Sequence, residues 1–221
     1  MVHVRSTSAG ILAMVLYMFT GSLASANIIS TFDTNLEGWT ATGGALSHVT
    51  TGGNPDGFLQ LTDTVTDWMT VYAPSSFQGD LSSFLGGTLS FDARNLNGVA
   101  ADLFDVPLFG TVTISGLGGS ASRVLGGTGT PPLDGLWHTY SATLDPSLWT
   151  GNLVGALSTV TQISVVLESN QAIFESNGFD NIAIRSVPEP SSVTLLGLGL
   201  AGLYGIAWWH RSRDRGAGDI S

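Results

Sequence analysis

The feature that most limits what this chain can fold into is a period of two in its apolar residues. In TLSFDAR, Leu89, Phe91 and Ala93 share one parity, as do Val112 and Ile114 in TVTIS, and Ile163, Val165 and Leu167 in QISVVLES. Alternation of this kind places one set of side chains on a single face of a strand. Further strands are predicted over 46–50, 58–62, 68–72, 137–144 and 179–185. They are separated by glycine-rich stretches or by Asp56-Gly57, Asn97-Gly98, Asp134-Gly135 and Asn177-Gly178, which are turn signals. No helical periodicity competes in this part of the chain. The expectation is an all-β fold, an antiparallel jelly-roll β-sandwich in which each of two sheets buries one face.

The apolar residues outside this pattern pile up at the two ends. Ile11 to Leu23 is an apolar run behind His3 and Arg5, followed by Ala24-Ser25-Ala26 with its small residues at −3 and −1. That is the layout of a secretory signal, with residues 1–26 forming a signal helix removed by signal peptidase. A second run, Val193 to Trp209, contains no charge over 17 residues. As a helix it would be about 26 Å long, enough to cross a bilayer's hydrocarbon core with slight thinning. Trp208 and Trp209 sit where interfacial aromatics belong, and Arg211, Arg213 and Arg215 form a membrane stop that keeps this end cytoplasmic and the body outside. A C-terminal transmembrane helix is therefore expected.

Just before that run stands Val187-Pro188-Glu189-Pro190. Its prolines hold the backbone extended and out of any helix, so it would be open to a protease. This order of Pro-Glu-Pro, short Gly- and Leu-rich apolar helix and arginine cluster resembles the PEP-CTERM sorting signal of Gram-negative bacteria, here spanning 187–215. The resemblance implies processing by an exosortase-like membrane enzyme, in organisms that make extracellular polysaccharide, and a final place at the cell surface or in the matrix. Within the run, GLGLAG at 197–202 satisfies G-x-G-x-x-G, but no strand precedes it and no crossover follows, so it carries no dinucleotide.

The body between these ends, 27–186, holds fourteen acidic residues against three arginines, and the chain has no lysine. Such a surface repels phosphates and anionic headgroups, which argues against nucleic acid as a partner. Cysteine is absent, so disulfides, thiolate metal sites and cysteine nucleophiles are all excluded. Within the body, VYAPSSFQGDLSSFLGGTLSFDARN at 71–95, followed by LFGTVTISGLG, LWHTYSATL, LSTVTQISVVLES and GFDNIAI, resembles the laminin B (laminin IV type A) domain over 68–184. That resemblance implies a jelly-roll sandwich similar to carbohydrate-binding modules and does not by itself imply catalysis.

Candidate site residues follow from chemistry. Asp33 and Glu37 near the start of the body and Asp180 near its end would meet if the terminal strands pair, offering oxygen ligands to a structural calcium ion; jelly-roll sugar-binding families often carry one in a comparable place. Exposed aromatic rings would stack on the C–H face of a sugar ring, and Trp149, in an expected loop, leads the candidates, with Trp68, Trp137, Trp39 and Tyr140. No nucleophile elbow, zinc-binding helix or phosphate loop occurs, and His48 and His138 are the body's only histidines. The reading is a secreted, non-enzymatic envelope or matrix protein binding polysaccharide or matrix protein, with a glycan-active hydrolase or lyase on the same scaffold as the alternative.

Overall fold

The computed structural model of the chain describes residues 26–98, 109–170, 174–187 and 199–205. Residues 26–187 form one compact unit. Its strands are β1 (Asn27–Ser30), β2 (Thr40–Thr42), β3 (Gly44–Val49), β4 (Phe58–Asp63), β5 (Thr70–Tyr72), β6 (Thr88–Asn95), β7 (Thr111–Gly116), β8 (Gly119–Val124), β9 (His138–Thr143), β10 (Thr150–Gly151), β11 (Val160–Val166) and β12 (Ser176–Arg185). They build two six-stranded sheets. The front sheet runs β3-β4-β12-β6-β9 with β1 also paired to β12, and the back sheet runs β10-β8-β7-β11-β5-β2. All named pairings are antiparallel, as the alternation predicts, and the two sheets make a jelly-roll-like sandwich.

The inward parity of each strand supplies the core. Leu59, Leu61, Leu89, Phe91, Ala93 and Phe179 from the front sheet, with Val71, Val112, Ile114, Ile163 and Val165 from the back sheet, belong to one buried cluster. A string of rings runs through it. Phe179 lies 6.0 Å from Phe32, 5.5 Å from Trp39 and 5.3 Å from Phe91, and Phe91 stacks on Tyr140 at 5.3 Å. The Trp39 indole N–H donates to Ser30 Oγ at 3.0 Å, so the polar edge of this ring is satisfied inside the core.

Two local features differ from the sequence expectation. A helix, α1 (Leu153–Ser158), lies in the body; Asn152 caps it by accepting the Gly155 N–H at 3.0 Å, and Leu153, Ala156 and Leu157 are buried. Six residues are too few for a 3.6-residue period to stand out in the sequence. Asn177-Gly178 is not a turn but lies inside β12. A Cβ on Gly178 would stand 2.8 Å from the Trp137 ring, so this glycine makes room for a side chain arriving from elsewhere. By contrast, Gly98 and Gly135 do take the left-handed turn conformation (φ +74° and +70°).

Residues 199–205, described by themselves, are helical. Among the described residues no helix is long and apolar enough to cross a membrane. The expected signal helix, residues 188–198 with Pro188, Glu189 and Pro190, and Arg211, Arg213 and Arg215 lie outside the described residues.

Phe179 touches three other core rings, so Phe179→Ala leaves a cavity that its neighbours cannot close. The expected cost is about 3–5 kcal/mol, or on the order of 10 °C in Tm for a domain of this size. Thermal melts followed by circular dichroism check this, and a shift of only a degree or two would mean that the ring cluster does not hold the sheets together.

Candidate functional site

The outward parity of the back sheet forms a continuous row. Thr40 faces Tyr72, Tyr72 faces Ser164, Ser164 faces Thr113, Thr113 faces Ser122 and Ser122 faces Thr150. Residues directly opposite in a ladder present their side chains on the same face, so six strands contribute six hydroxyls with no charge among them. At about 4.8 Å between strands the row is roughly 24 Å long. The neighbouring row, Thr42, Thr70, Val166, Thr111 and Val124, is likewise uncharged.

At the β2–β5 end of this face an open groove of about 540 Å³ is lined by Thr42, Thr66, Asp67, Trp68, Thr70 and Tyr72. Trp68 is 54% exposed, while the next residue is fixed at three points. Met69 is fully buried, its N–H donates to Glu168 Oε2 at 2.9 Å and its carbonyl accepts from the Leu167 N–H at 2.8 Å. Just ahead of β5, these bonds hold Met69 inward while the adjoining Trp68 indole is left exposed. The turn between β2 and β3 presses on the same segment: a Cβ on Gly43 (φ +76°) would lie 2.2 Å from the Trp68 carbonyl oxygen.

The outer face of the front sheet has different chemistry. Trp137 and Phe58 meet edge to face at 5.3 Å, and the Arg94 guanidinium lies 5.2 Å from the Trp137 ring centre and 5.9 Å from that of Phe58. The Trp137 N–H donates to the Gly52 carbonyl at 3.0 Å, fastening the 50–57 loop over the sheet. Beneath that loop Asp92 and Asp180 face each other across β6 and β12. Asp180 accepts the Asn54 N–H and the Asn181 N–H at 2.7 Å each. Asp92 accepts Thr139 Oγ1–H at 2.5 Å, Asn54 Nδ2–H at 3.0 Å and Asn181 Nδ2–H at 2.9 Å. Asn181 reaches both acids because it stands at the irregularity in β12, with φ 50°. Burial, with the charges of Asp92 and Asp33 adding to it, pushes the Asp180 carboxyl up to about 6 against the pull of its two N–H donors.

Of the rings expected to bind, Trp39 and Tyr140 are buried in the core, and Trp68 and Trp137 reach an outer face, on different sheets. Trp149 does not: it is 5% exposed and its N–H donates to the Thr143 carbonyl at 2.9 Å. It closes a 3-10 turn at Pro146–Leu148, and because Thr150 points outward in β10, Trp149 before it points in. The terminal strands do pair, Asn27 facing Arg185, and Asp33 lies near enough to Asp180 for its charge to act on that carboxyl. Glu37 Oε1 is turned onto its own loop, accepting the Thr31 and Phe32 N–H at 3.2 and 2.7 Å, and both Asp180 oxygens are engaged. Among the described residues no group of three or more His, Cys, Asp or Glu is placed to hold a metal ion. The residues that sequence reasoning passed over are Arg94 and Tyr72; the outward parity of both was readable, but their partners come from distant strands.

Residues 186–212 match the model of the PEP-CTERM protein-sorting motif. Comparison with curated protein sequences finds no match. Among solved structures, an exo-beta-agarase is similar at 20% identity over 72% of this chain and 24% of its own, with a TM-score of 0.51. The chain thus spans about a quarter of that enzyme's length. The L4b domain of human laminin alpha-2 matches at 10% identity over 58% of this chain and 80% of its own, TM-score 0.47. A family 11 carbohydrate-binding module from Clostridium thermocellum, in complex with a beta-1,3-1,4-mixed-linked tetrasaccharide, matches at 16% identity over 78% of this chain and 94% of its own, TM-score 0.43.

A second set of buried acids braces the segment behind Trp68. Glu175 is fully buried and accepts the Ser169 N–H at 2.8 Å and the Ser169 Oγ–H at 2.5 Å. Burial pushes its carboxyl up to about 8; the Ser169 hydrogen bonds oppose this and the charges of Glu168 and Asp63 add to it. An acid whose pKa is higher folded than unfolded binds more protons in the folded state between the two values. Its contribution is therefore complete below about 4.5 and is lost as pH rises through about 8. Tm should fall between pH 5 and pH 9, and Glu175→Gln, which keeps one acceptor and cannot ionise, should flatten that slope. An unchanged slope in the variant would place the titration elsewhere.

Proposed function

We propose that this chain is an exported, non-enzymatic protein of the cell envelope or extracellular matrix that binds neutral polysaccharide on the outer face of its back sheet. The observation that carries the reading is the uncharged hydroxyl row that crosses all six strands and passes through Tyr72, which also lines the groove where Trp68 is exposed. Strand propensity alone accounts for threonine on an outer face. It does not account for an indole held out beside a pinned methionine. A sugar chain uses both features, its C–H face on the ring and its hydroxyls on the row.

Export is supported by the sorting motif at 186–212. In this reading signal peptidase removes 1–26, the Val193–Trp209 run anchors the chain in the membrane, and an exosortase-like enzyme acts near Pro188-Glu189-Pro190. Binding rather than turnover is supported by the state of the acids and histidines. The facing pair Asp92 and Asp180 is 6% and 0% exposed with its oxygens taken by five N–H and O–H donors, a poor arrangement for proton transfer to a substrate. His48 Nε2 is bonded to the Phe32 carbonyl and His138 Nε2 to Asp134.

The test is affinity electrophoresis of the detergent-solubilised full chain through gels containing neutral glucans or galactans, with a parallel assay for released sugar. Retention without product is expected. Trp68→Ala should weaken retention about tenfold, near 1.4 kcal/mol, and leave Tm unchanged because the indole is exposed. Released sugar would move the chain to the hydrolase or lyase class; uniform failure to bind would leave a purely structural matrix role.

A further inference from the structure

We propose that the groove beside Arg94, on the face opposite the hydroxyl row, is a second binding site that takes the carboxylate of an acidic sugar residue, a uronate of an anionic polysaccharide. This rests on the reading that the body binds extracellular glycan, but its residues, ligand chemistry and test are separate.

The argument begins with the three arginines of the body. Arg123 donates to the Leu148 carbonyl at 3.2 Å and Arg185 to Ser90 Oγ at 3.3 Å. Among the described residues the Arg94 side chain has neither a hydrogen bond nor an ion pair; its partners there are the two rings. In a body with fourteen acids and three bases, a cation that none of the described acids pairs with needs a reason. The acids nearest to it along β6 and β12, Asp92 and Asp180, are held by Asn54, Asn181 and Thr139. Among the described residues, uncharged donors satisfy these acids and no carboxylate meets the guanidinium.

The guanidinium is also fixed in place. Its neighbouring rings are themselves locked, Trp137 by the Gly52 carbonyl and by the space that Gly178 leaves for it. With its position set by stacking, little rotamer freedom remains to be lost on binding, and its N–H fork suits the two oxygens of a carboxylate. An open groove of about 490 Å³ lies against it, with no acidic residue in its lining. Its floor is a linked set of neutral polar groups: Gln60 Nε2–H donates to Thr62 Oγ1 at 3.2 Å and to Ser176 Oγ at 3.0 Å, and those two hydroxyls are 2.9 Å apart. One planar cation beside a strip of amide and hydroxyls matches an acidic sugar, whose carboxylate meets the fork while its hydroxyls meet the strip.

The test measures binding of the detergent-solubilised full chain to an oligogalacturonate and to its methyl ester, which has the same size and hydroxyls but no charge. The free acid should bind at least about tenfold tighter, and raising NaCl from 0.05 to 0.5 M should remove most of that preference. Arg94→Gln should abolish the preference, and Arg94→Lys, which keeps the charge but not the fork, should restore only part of it. Trp68→Ala should leave the preference intact while weakening neutral glycan. Equal binding of acid and ester by the wild-type chain, or no binding of the acid, overturns the proposal without recourse to a variant. So does an Arg94→Gln chain of normal Tm that keeps the preference. Loss of neutral binding alone would count against the back-sheet reading and leave this one standing.

Discussion

β12 is the ladder on which the sandwich is assembled. Along one edge it pairs with β6 over most of its length, and along the other it pairs first with β4, through Ser176–Phe179, and then with β1, through Ile182–Arg185. The irregularity between Asp180 and Ala183 falls where β4 hands over to β1. A buried carboxylate at that point is tolerable only if N–H groups are brought to it. Asn181 and the 50–57 loop supply them, so the shape of the loop is a consequence of Asp180. The same strand sends Phe179 into the ring cluster and gives up a side chain at Gly178, which makes room for the tip of the Trp137 ring on the outer face.

The sheets use one rule inward and two chemistries outward. Inside, every strand but β10 contributes apolar residues to a common cluster or packs against it. Outside, the back sheet is hydroxyl-bearing and the front sheet sets Arg94 beside the Phe58 and Trp137 rings. The strong negative charge of the chain does not contradict this. The acids on strands, Asp63, Asp92 and Asp180, are buried, and Asp33, Asp56, Asp67, Asp80 and Asp134 lie in the connections. Charge at the margins disfavours self-association and leaves the hydroxyl row of the back sheet uncharged.

Strand parity was legible wherever alternation was strong, and with it the sandwich, the antiparallel pairing and the inward set Leu89, Phe91, Ala93, Val112, Ile114, Ile163 and Val165. β8 was missed because GSASRV has almost no apolar residue to mark a period, and β10 because two residues have no period. The parity that holds Trp68 outward is visible in WMTVY once Met69 and Val71 are taken as core. That of Trp149 depends on β10 and so stayed hidden. Asn177-Gly178 carries the same letters as a turn, and only the arrival of Trp137 from 41 residues earlier explains the glycine. Long-range partners of this kind, Arg94 with Phe58 and Trp137 included, leave no trace in local pattern.

The boundary between the folded body and the sorting segment has its own logic. The compact unit ends at Val187 and the sorting match begins at residue 186, so the two overlap by only a pair of residues. At that seam the Ser186 N–H donates to the Ala26 carbonyl and the Ala26 N–H to Ser186 Oγ, both at 3.0 Å. Both ends of the body are thus clipped to each other at one edge of the front sheet, next to the Asn27–Arg185 pairing. Among the described residues, cuts outside 26–187 sever no strand of the sandwich and remove no residue of its core, so the β1–β12 ladder that closes the sandwich lies wholly between the two ends of this unit.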